Sequence, residues 1–299
     1  MKPRTLLLGG SGAYDLPPGM LGERIHSRRL RTPYGLSNPV HEFSRQGFRY
    51  FFISRHGEHG YEKTAPYVNY RANIYASKLL GVERIFSWTG PGAVSRTYRP
   101  GDLVVPDDLL DFTRSRPSTF YEGGRVGFIR QHPVFCETLR AALKAAAGDT
   151  ALASRLRLGG TYACTEGPRL ETAAEIRFLA MAGADLVGMT LCPEAFLARE
   201  LEICYAAFCY VTNYAEGARA LPYSPGDLFE GMLPQGEACA VEAAKNAIPG
   251  VAIAAMAAVE NETRDCPCAV SMERYRKKGI IGPDFRKWVS VPPRGRVSG

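Results

Sequence analysis

The architecture hangs on how Thr5-Leu6-Leu7-Leu8-Gly9-Gly10-Ser11-Gly12 is read. A short aliphatic run that breaks into glycines reads as a buried strand ending in a tight turn with exposed backbone. Met1–Gly10 imitates a secretory leader, but its apolar part is too short for one. With this segment as a strand, the chain keeps one rhythm. Strand-like runs at Tyr50–Ser54, Arg84–Trp88, Asp102–Val105, Leu158–Cys164, Asp185–Met189 and Ile203–Thr212 alternate with helical spacing. The helical stretches are Val68–Leu80, Pro133–Ala147, Glu171–Ala182, Pro193–Leu201 and a final alanine-rich one within Glu237–Val259. Gly81 and Gly148 stand where helices should close. The alternation predicts a single α/β domain, a central mixed β-sheet flanked by helices, over residues 1–260. Residues 261–299 read as a basic C-terminal extension, and its Val291-Pro292-Pro293-Arg294-Gly295 stretch favours neither helix nor strand.

The 299 residues are 45% hydrophobic and 22% charged, enough to bury a sizeable core. No apolar run reaches the ~20 residues that span a bilayer, so the expectation is a cytoplasmic protein without a membrane partner. Of eight cysteines, most lie in apolar runs such as Leu201–Cys209 and read as buried free thiols. Cys266-Pro267-Cys268 differs in being closely spaced and polar in its surroundings. No second Cys/His pair lies near it in sequence, so no metal is expected there. Asn261-Glu262-Thr263 is a glycosylation sequon on paper and carries no meaning without secretion. The net charge of +7 is uneven: Thr263–Gly299 holds nine Lys/Arg against three acids, leaving the rest near neutral. A solvated or subunit-docking tail is the expectation, not a nucleic-acid partner, because basic and aromatic residues do not interleave regularly there.

The strands ending near Leu8, Ser54, Trp88, Met189 and Thr212 each run into small or polar residues, where ligands collect in α/β sheets. Ser11 between glycines, Arg55 as a bidentate clamp, His56 beside it, Thr89-Gly90 and Thr190 are stations for an oxyanion. Taken singly each is ordinary: a turn serine, a surface arginine, a structural histidine. Glu171 alone reads as a first-turn helix acid and Met189 alone as core. Together the separated donors fit inorganic phosphate better than a dinucleotide. Glu171 and Asn213 add a carboxylate and an amide that suit a 6-oxopurine: Glu171 accepts a ring N–H, and Asn213 donates and accepts at once. Gly10-Ser11-Gly12 and Gly90-Pro91-Gly92 both lack the third glycine of a dinucleotide fingerprint, and no Walker-type loop occurs.

Gly9-Gly10-Ser11-Gly12, Arg55-His56-Gly57, Val68-Asn69-Tyr70-Arg71-Ala72-Asn73-Ile74, Glu166-Gly167-Pro168-Arg169, and Met189-Thr190 with Pro193-Glu194 carry a resemblance. From about Thr5 to Ala258 the chain resembles the trimeric purine nucleoside phosphorylases, in their methylthioadenosine-phosphorylase-like branch. The resemblance implies phosphate contacts at Ser11, Arg55, His56, Thr89, Gly90 and Thr190, and a ribose contact at Met189. It implies base-pocket positions at Leu170, Glu171, Asn213 and Ala215, and catalytic roles for Asn213, Arg55 and His56. It places Phe128 over a neighbouring subunit's sugar, so a homotrimer or dimer of trimers is implied. Inorganic phosphate is the co-substrate, and no cofactor or metal is implied. Methylthioadenosine phosphorylases carry a small hydroxyl residue where this chain has Glu171, and aspartates where it has Asn213 and Ala215. The Glu-plus-Asn pair instead resembles the inosine- and guanosine-cleaving enzymes, which release a purine base and ribose 1-phosphate. Those enzymes use a late histidine at the 5′ position, and no His follows His132 here. S-methyl-5′-thioinosine and 5′-methylthioadenosine therefore stay open as substrates, and a non-catalytic nucleoside-binding protein is the rival of another class. Cys266-Pro267-Cys268 resembles a C-terminal C-x-C of some thermostable relatives.

Overall fold

Leu6 and Leu8 pack into one apolar cluster and Leu7 into another, so the first strand is covered on both faces. The computed structural model describes residues 2–219, 225–226, 228 and 232–289. The Val291-Pro292-Pro293-Arg294-Gly295 stretch lies outside them. Eight strands form the main sheet, in the order β11 (Leu156–Leu158), β9 (Leu103–Val105), β14 (Cys204–Tyr210), β7 (Arg84–Thr89), β1 (Thr5–Gly9), β6 (Phe48–Ser54), β5 (Val40–Arg45) and β2 (Glu23–Arg28). The centre is parallel: β1 pairs with β6 and β7, and β7 with β14. The β14–β9 and β6–β5–β2 pairings are antiparallel, which makes the sheet mixed as expected.

Four main-sheet strands are each followed, after two residues, by a strand of a second sheet. That sheet has the order β10 (Asp108–Phe112), β12 (Thr161–Thr165), β13 (Leu186–Gly188), β8 (Gly92–Ala93) and β15 (Asn213–Tyr214). The crossings are β7 to β8, β9 to β10, β11 to β12 and β14 to β15. This overturns the reading of Leu158–Cys164 as one strand. Gly159 and Gly160 take φ of +90° and +112°, which only glycine adopts readily, and they turn the chain from one sheet to the other. A ribbon of β3 (Arg31–Thr32) and β4 (Gly35–Leu36) completes the strands of the described residues.

Among the described residues the helices are α1 (Tyr70–Leu79), α2 (Glu137–Gly148), α3 (Ala173–Met181), α4 (Leu191–Glu200), α5 (Gln235–Val259) and α6 (Glu273–Lys277). Gly81, with φ +83°, follows α1 as expected. The helix expected from Glu171 starts instead at Ala173, because Thr172 caps it in a capping box with Glu175. Glu171 is thus a loop residue and not a first-turn acid. Among the described residues no helix is long and apolar enough to cross a membrane.

The C-terminal extension packs on its own chain. Met272, Tyr275, Ile281, Trp288 and Val289 are buried in the main core cluster. Arg276 pairs with Glu202 and Glu273 and lies over the Trp288 ring at 5.1 Å, so part of the basic charge is neutralised internally.

Candidate active site

Ser11, His56, Thr89, Gly90, Leu170, Glu171, Met189, Thr190, Asn213 and Ala215 all line one cleft, although they span some two hundred positions of chain. It opens where two of the four strand crossings, β7 to β8 and β14 to β15, pass between the sheets. The β1 turn supplies Ser11, the β7–β8 crossing supplies Thr89 and Gly90, and the end of β13 supplies Met189 and Thr190. The β14–β15 crossing supplies Asn213. Tyr61, Gly92, Val187, Gly188 and Glu216 complete the wall.

Close packing explains the glycines here. A Cβ on Gly10 would lie 2.4 Å from the Trp88 carbonyl and 2.7 Å from Arg55. A Cβ on Gly188 would lie 1.9 Å from the Tyr162 hydroxyl. The Ser11 carbonyl accepts from Tyr210 at 3.2 Å and from Trp88 Nε1 at 3.4 Å, which ties the first turn to two other strands. Thr89 and Thr190, 101 residues apart, bring their hydroxyls within 3.3 Å. Thr190 precedes α4, but Cys192 is extended (φ −95°, ψ 136°) and interrupts the first turn, so what converges there is hydroxyls and backbone.

His56 makes a specific contact. Its Nδ1 lies 2.8 Å from the Lys63 carbonyl, which can only accept, so Nδ1 carries the proton and Nε2 is an acceptor. Burial, together with the Arg55 and Arg116 charges, pushes the imidazole down to about 4 despite the Lys63 contact. At neutral pH His56 is therefore an uncharged acceptor, not the donor its position suggested. Tyr61 stacks on it with centroids 4.4 Å apart. The unfolded chain binds this proton near pH 6.5 and the folded chain near 4, so stability falls as pH drops through that window, by up to about 3 kcal/mol from this group. Glu200, which burial raises to about 7, acts in the opposite sense over the same range. The His56 contribution is therefore read as a difference. Urea denaturation from pH 7 to 5 should destabilise the parent more steeply than His56→Gln, and parallel curves would show that His56 is not buried neutral.

Two expected residues are placed differently. Arg55 is fully buried and does not line the cleft. Its Nε and Nη2 donate to the two Glu194 oxygens at 2.6 and 2.9 Å, Nη2 also to Ser87 Oγ at 2.6 Å, and Nη1 to the Trp88 carbonyl at 3.3 Å. Glu194 further accepts from Tyr205 at 2.8 Å. With four of its five N–H donors committed, the guanidinium shapes the turns behind the cleft. Phe128 is 97% exposed at φ +55°, away from the cleft lining, a costly backbone conformation for an aromatic residue.

On the base side, Glu171 Oε1 accepts from Thr165 Oγ1, whose hydroxyl also lies 3.2 Å from the Gly188 carbonyl. Asn213 Nδ2 donates to the Tyr214 carbonyl at 2.8 Å, and Oδ1 accepts from Thr212 at 2.6 Å. A flipped amide would set oxygen against the Tyr214 carbonyl, so the orientation is determined. One N–H and one lone pair of the amide remain for a ligand.

Arg116 gave no signal in the sequence. It is buried, and it donates to the carbonyls of Thr165, Glu166, Met189 and Cys192. It thereby fixes the loops after β12 and β13 against one another. It also reaches the Glu166 carboxylate and the Tyr70 hydroxyl at 3.4 and 3.3 Å, and an arginine that serves mainly backbone carbonyls belongs to no motif, so only the fold reveals it.

A sequence profile described as the phosphorylase superfamily matches residues 32–248. The chain belongs to that superfamily. It is 42% identical over 262 residues to a protein of Methanothermobacter thermautotrophicus named a probable S-methyl-5′-thioinosine phosphorylase, covering 88% of this chain and 86% of that one. It is 42% identical over 243 residues to the 6-oxopurine nucleoside phosphorylase of Pyrococcus furiosus, covering 79% and 88%. Among solved structures, a methylthioadenosine phosphorylase from an antarctic soil metagenomic library superposes with a TM-score of 0.77 at 30% identity, covering 90% of both chains.

Proposed function

We propose that the chain catalyses phosphorolysis of 6-oxopurine nucleosides such as inosine and guanosine, giving the free purine and ribose 1-phosphate. The observation that carries this reading is the fixed Asn213 amide facing the same cleft as Glu171. A neutral amide donates to a purine O6 and accepts from N7–H as the base departs, and Glu171 accepts from N1–H. An adenine offers an amino donor and a bare N1, which mispairs with Glu171 at a cost of about 1–3 kcal/mol per group. The naming of the Pyrococcus furiosus relative supports the same base class.

In the reaction, a phosphate oxygen bonds to C1′ while the C1′–N9 bond breaks, the electron pair leaves with the purine, and N7 takes up a proton from water. Ser11, Thr89, Gly90 and Thr190 hold the phosphate, and the neutral His56 accepts a hydrogen bond from its remaining O–H. Phosphate charge then offsets the positive charge developing on the sugar. Arg55 contributes by holding the Trp88 carbonyl with its guanidinium and the Gly9 carbonyl with its own backbone N–H. Met189 lies under the ribose, with Leu170 and Ala215 beside the base. Phosphate is a co-substrate and no other cofactor takes part. The exposed, strained Phe128 supports a homotrimer or dimer of trimers in which it covers a neighbour's sugar. We place the reaction in purine salvage in the cytoplasm.

A methylthioinosine substrate is the second reading. It is favoured by the absence of any histidine after His132 and by the name of the Methanothermobacter relative. Purine release from inosine, guanosine, adenosine, methylthioadenosine and methylthioinosine, with and without phosphate, tests both readings, with light scattering for the assembly. Phosphate-dependent release from the oxopurines is expected. Release from the adenine compounds overturns the base assignment, and no release at all overturns the reaction.

A further inference from the structure

Four cysteines from three distant parts of the chain meet in one place. The Sγ atoms of Cys136, Cys204, Cys266 and Cys268 all lie within 4.8 Å of one another, and Cys204 and Cys266 are 3.3 Å apart. All four are free thiols; three are buried and Cys266 is partly exposed. The expectation of no metal at Cys266-Pro267-Cys268 rested on distance along the sequence. The fold removes that argument, because the second pair arrives from Cys136 at the start of α2 and Cys204 at the start of β14.

We infer that this cluster binds one Zn²⁺ ion through four thiolates. A tetrahedral zinc with Zn–S near 2.3 Å sets its sulfurs about 3.8 Å apart, so the four side chains need only small rotations to close on it. A multi-iron cluster holds its ligand sulfurs further apart than this span, which selects a single ion. The frame is rigid: the Cys136 N–H donates to the Tyr205 carbonyl at 2.8 Å, and the Cys204 N–H to the Glu83 carbonyl at 2.9 Å. Binding releases four thiol protons, and each sulfur donates one electron pair. The site then carries a charge of minus two. Two features offset that charge. Cys136 is the N-cap of the twelve-residue α2, so the positive helix end faces its sulfur. The Arg264 guanidinium lies beside Cys204, donates to the Glu202 carbonyl at 2.6 Å, and leaves its buried Nε without a hydrogen-bond partner. The partly exposed Cys266 gives the ion its way in.

Zinc here pins the C-terminal extension to the first residue of β14, the strand whose far end leads to Asn213. The site is independent of the proposed reaction, so its test is too. The full-length chain is purified under reducing conditions from zinc-supplemented medium and its metal content is measured. One zinc per chain is expected, retained in Cys239→Ser, whose cysteine is exposed and outside the cluster, and reduced by more than about tenfold in Cys136→Ser and Cys268→Ser. Because those substitutions alter buried positions and so also perturb folding, Co²⁺ is also added to the metal-stripped parent chain. Thiolate-to-cobalt charge transfer with tetrahedral ligand-field bands is expected. A zinc-free protein with four free thiols, a mass showing disulfides among these cysteines, or a cobalt spectrum without thiolate bands overturns the inference.

Discussion

Asn213→Asp should shift the ratio of inosine to adenosine turnover, as kcat/KM, by about 100-fold toward adenosine. The estimate combines two mispaired polar groups at about 1–3 kcal/mol each. In the parent, the Tyr214 carbonyl and the Thr212 hydroxyl hold the amide in one orientation, so O6 meets an N–H. A carboxylate keeps the Thr212 contact but sets an oxygen against Tyr214 and another against O6. Inosine loses a donor and gains a repulsion, whereas the 6-amino group of adenosine gains an acceptor. Glu171 still opposes a bare N1, so adenosine turnover should remain below that of a dedicated adenosine enzyme. Steady-state kinetics with both nucleosides at saturating phosphate decides the matter. An unchanged ratio would remove Asn213 from the base.

Arg55→Met should lower the unfolding free energy by about 3–5 kcal/mol, the effect of stranding a buried carboxylate. Glu194 is 2% exposed, and without Arg55 it keeps only Tyr205 and Ser87. The double variant Arg55→Met/Glu194→Met should be the more stable of the two, because both desolvated charges go together. Urea denaturation of both variants measures this. A loss below about 1 kcal/mol in Arg55→Met, typical of a surface ion pair, would show that the guanidinium is not sequestered behind the cleft. The pair also separates two views of phosphate binding. If Arg55 acts through the backbones it holds, Glu194→Gln should weaken phosphate although every cleft-lining side chain is unchanged. If Arg55 were a direct clamp, the same change would free its charge and tighten phosphate.

These two residues mark how far the sequence can be read. Leu6, Leu7 and Leu8 were legible because a two-sided strand needs an unbroken apolar run, and Gly81 because a helix end needs a positive φ. The cleft residues were legible because they stand just past strand ends. β2 escaped notice because all six of its residues are exposed, so burial leaves no apolar alternation. The partner of Arg55 escaped because Glu194 lies 139 residues away and nothing local marks a carboxylate as buried. Glu171 was assigned to a helix because the Thr172 cap, one residue on, is a weaker signal than helical spacing. The cysteine cluster was missed for the same reason as the ion pair: the fold sets that proximity.

The four crossings between the sheets have a mechanical meaning. Thr89 and Gly90 belong to one of these ligaments and Asn213 to another, so the stations proposed for phosphate and for base hang on two neighbouring struts. These two struts are tied to each other in both sheets, β7 to β14 and β8 to β15, and a pair joined at both ends resists twisting better than either alone. The separation between the attacking oxygen and the departing nitrogen is thus a dimension of the scaffold, set before either substrate arrives. A strut lengthened by one residue would move one station and leave the other in place, and the gauge between them would be the quantity that changes.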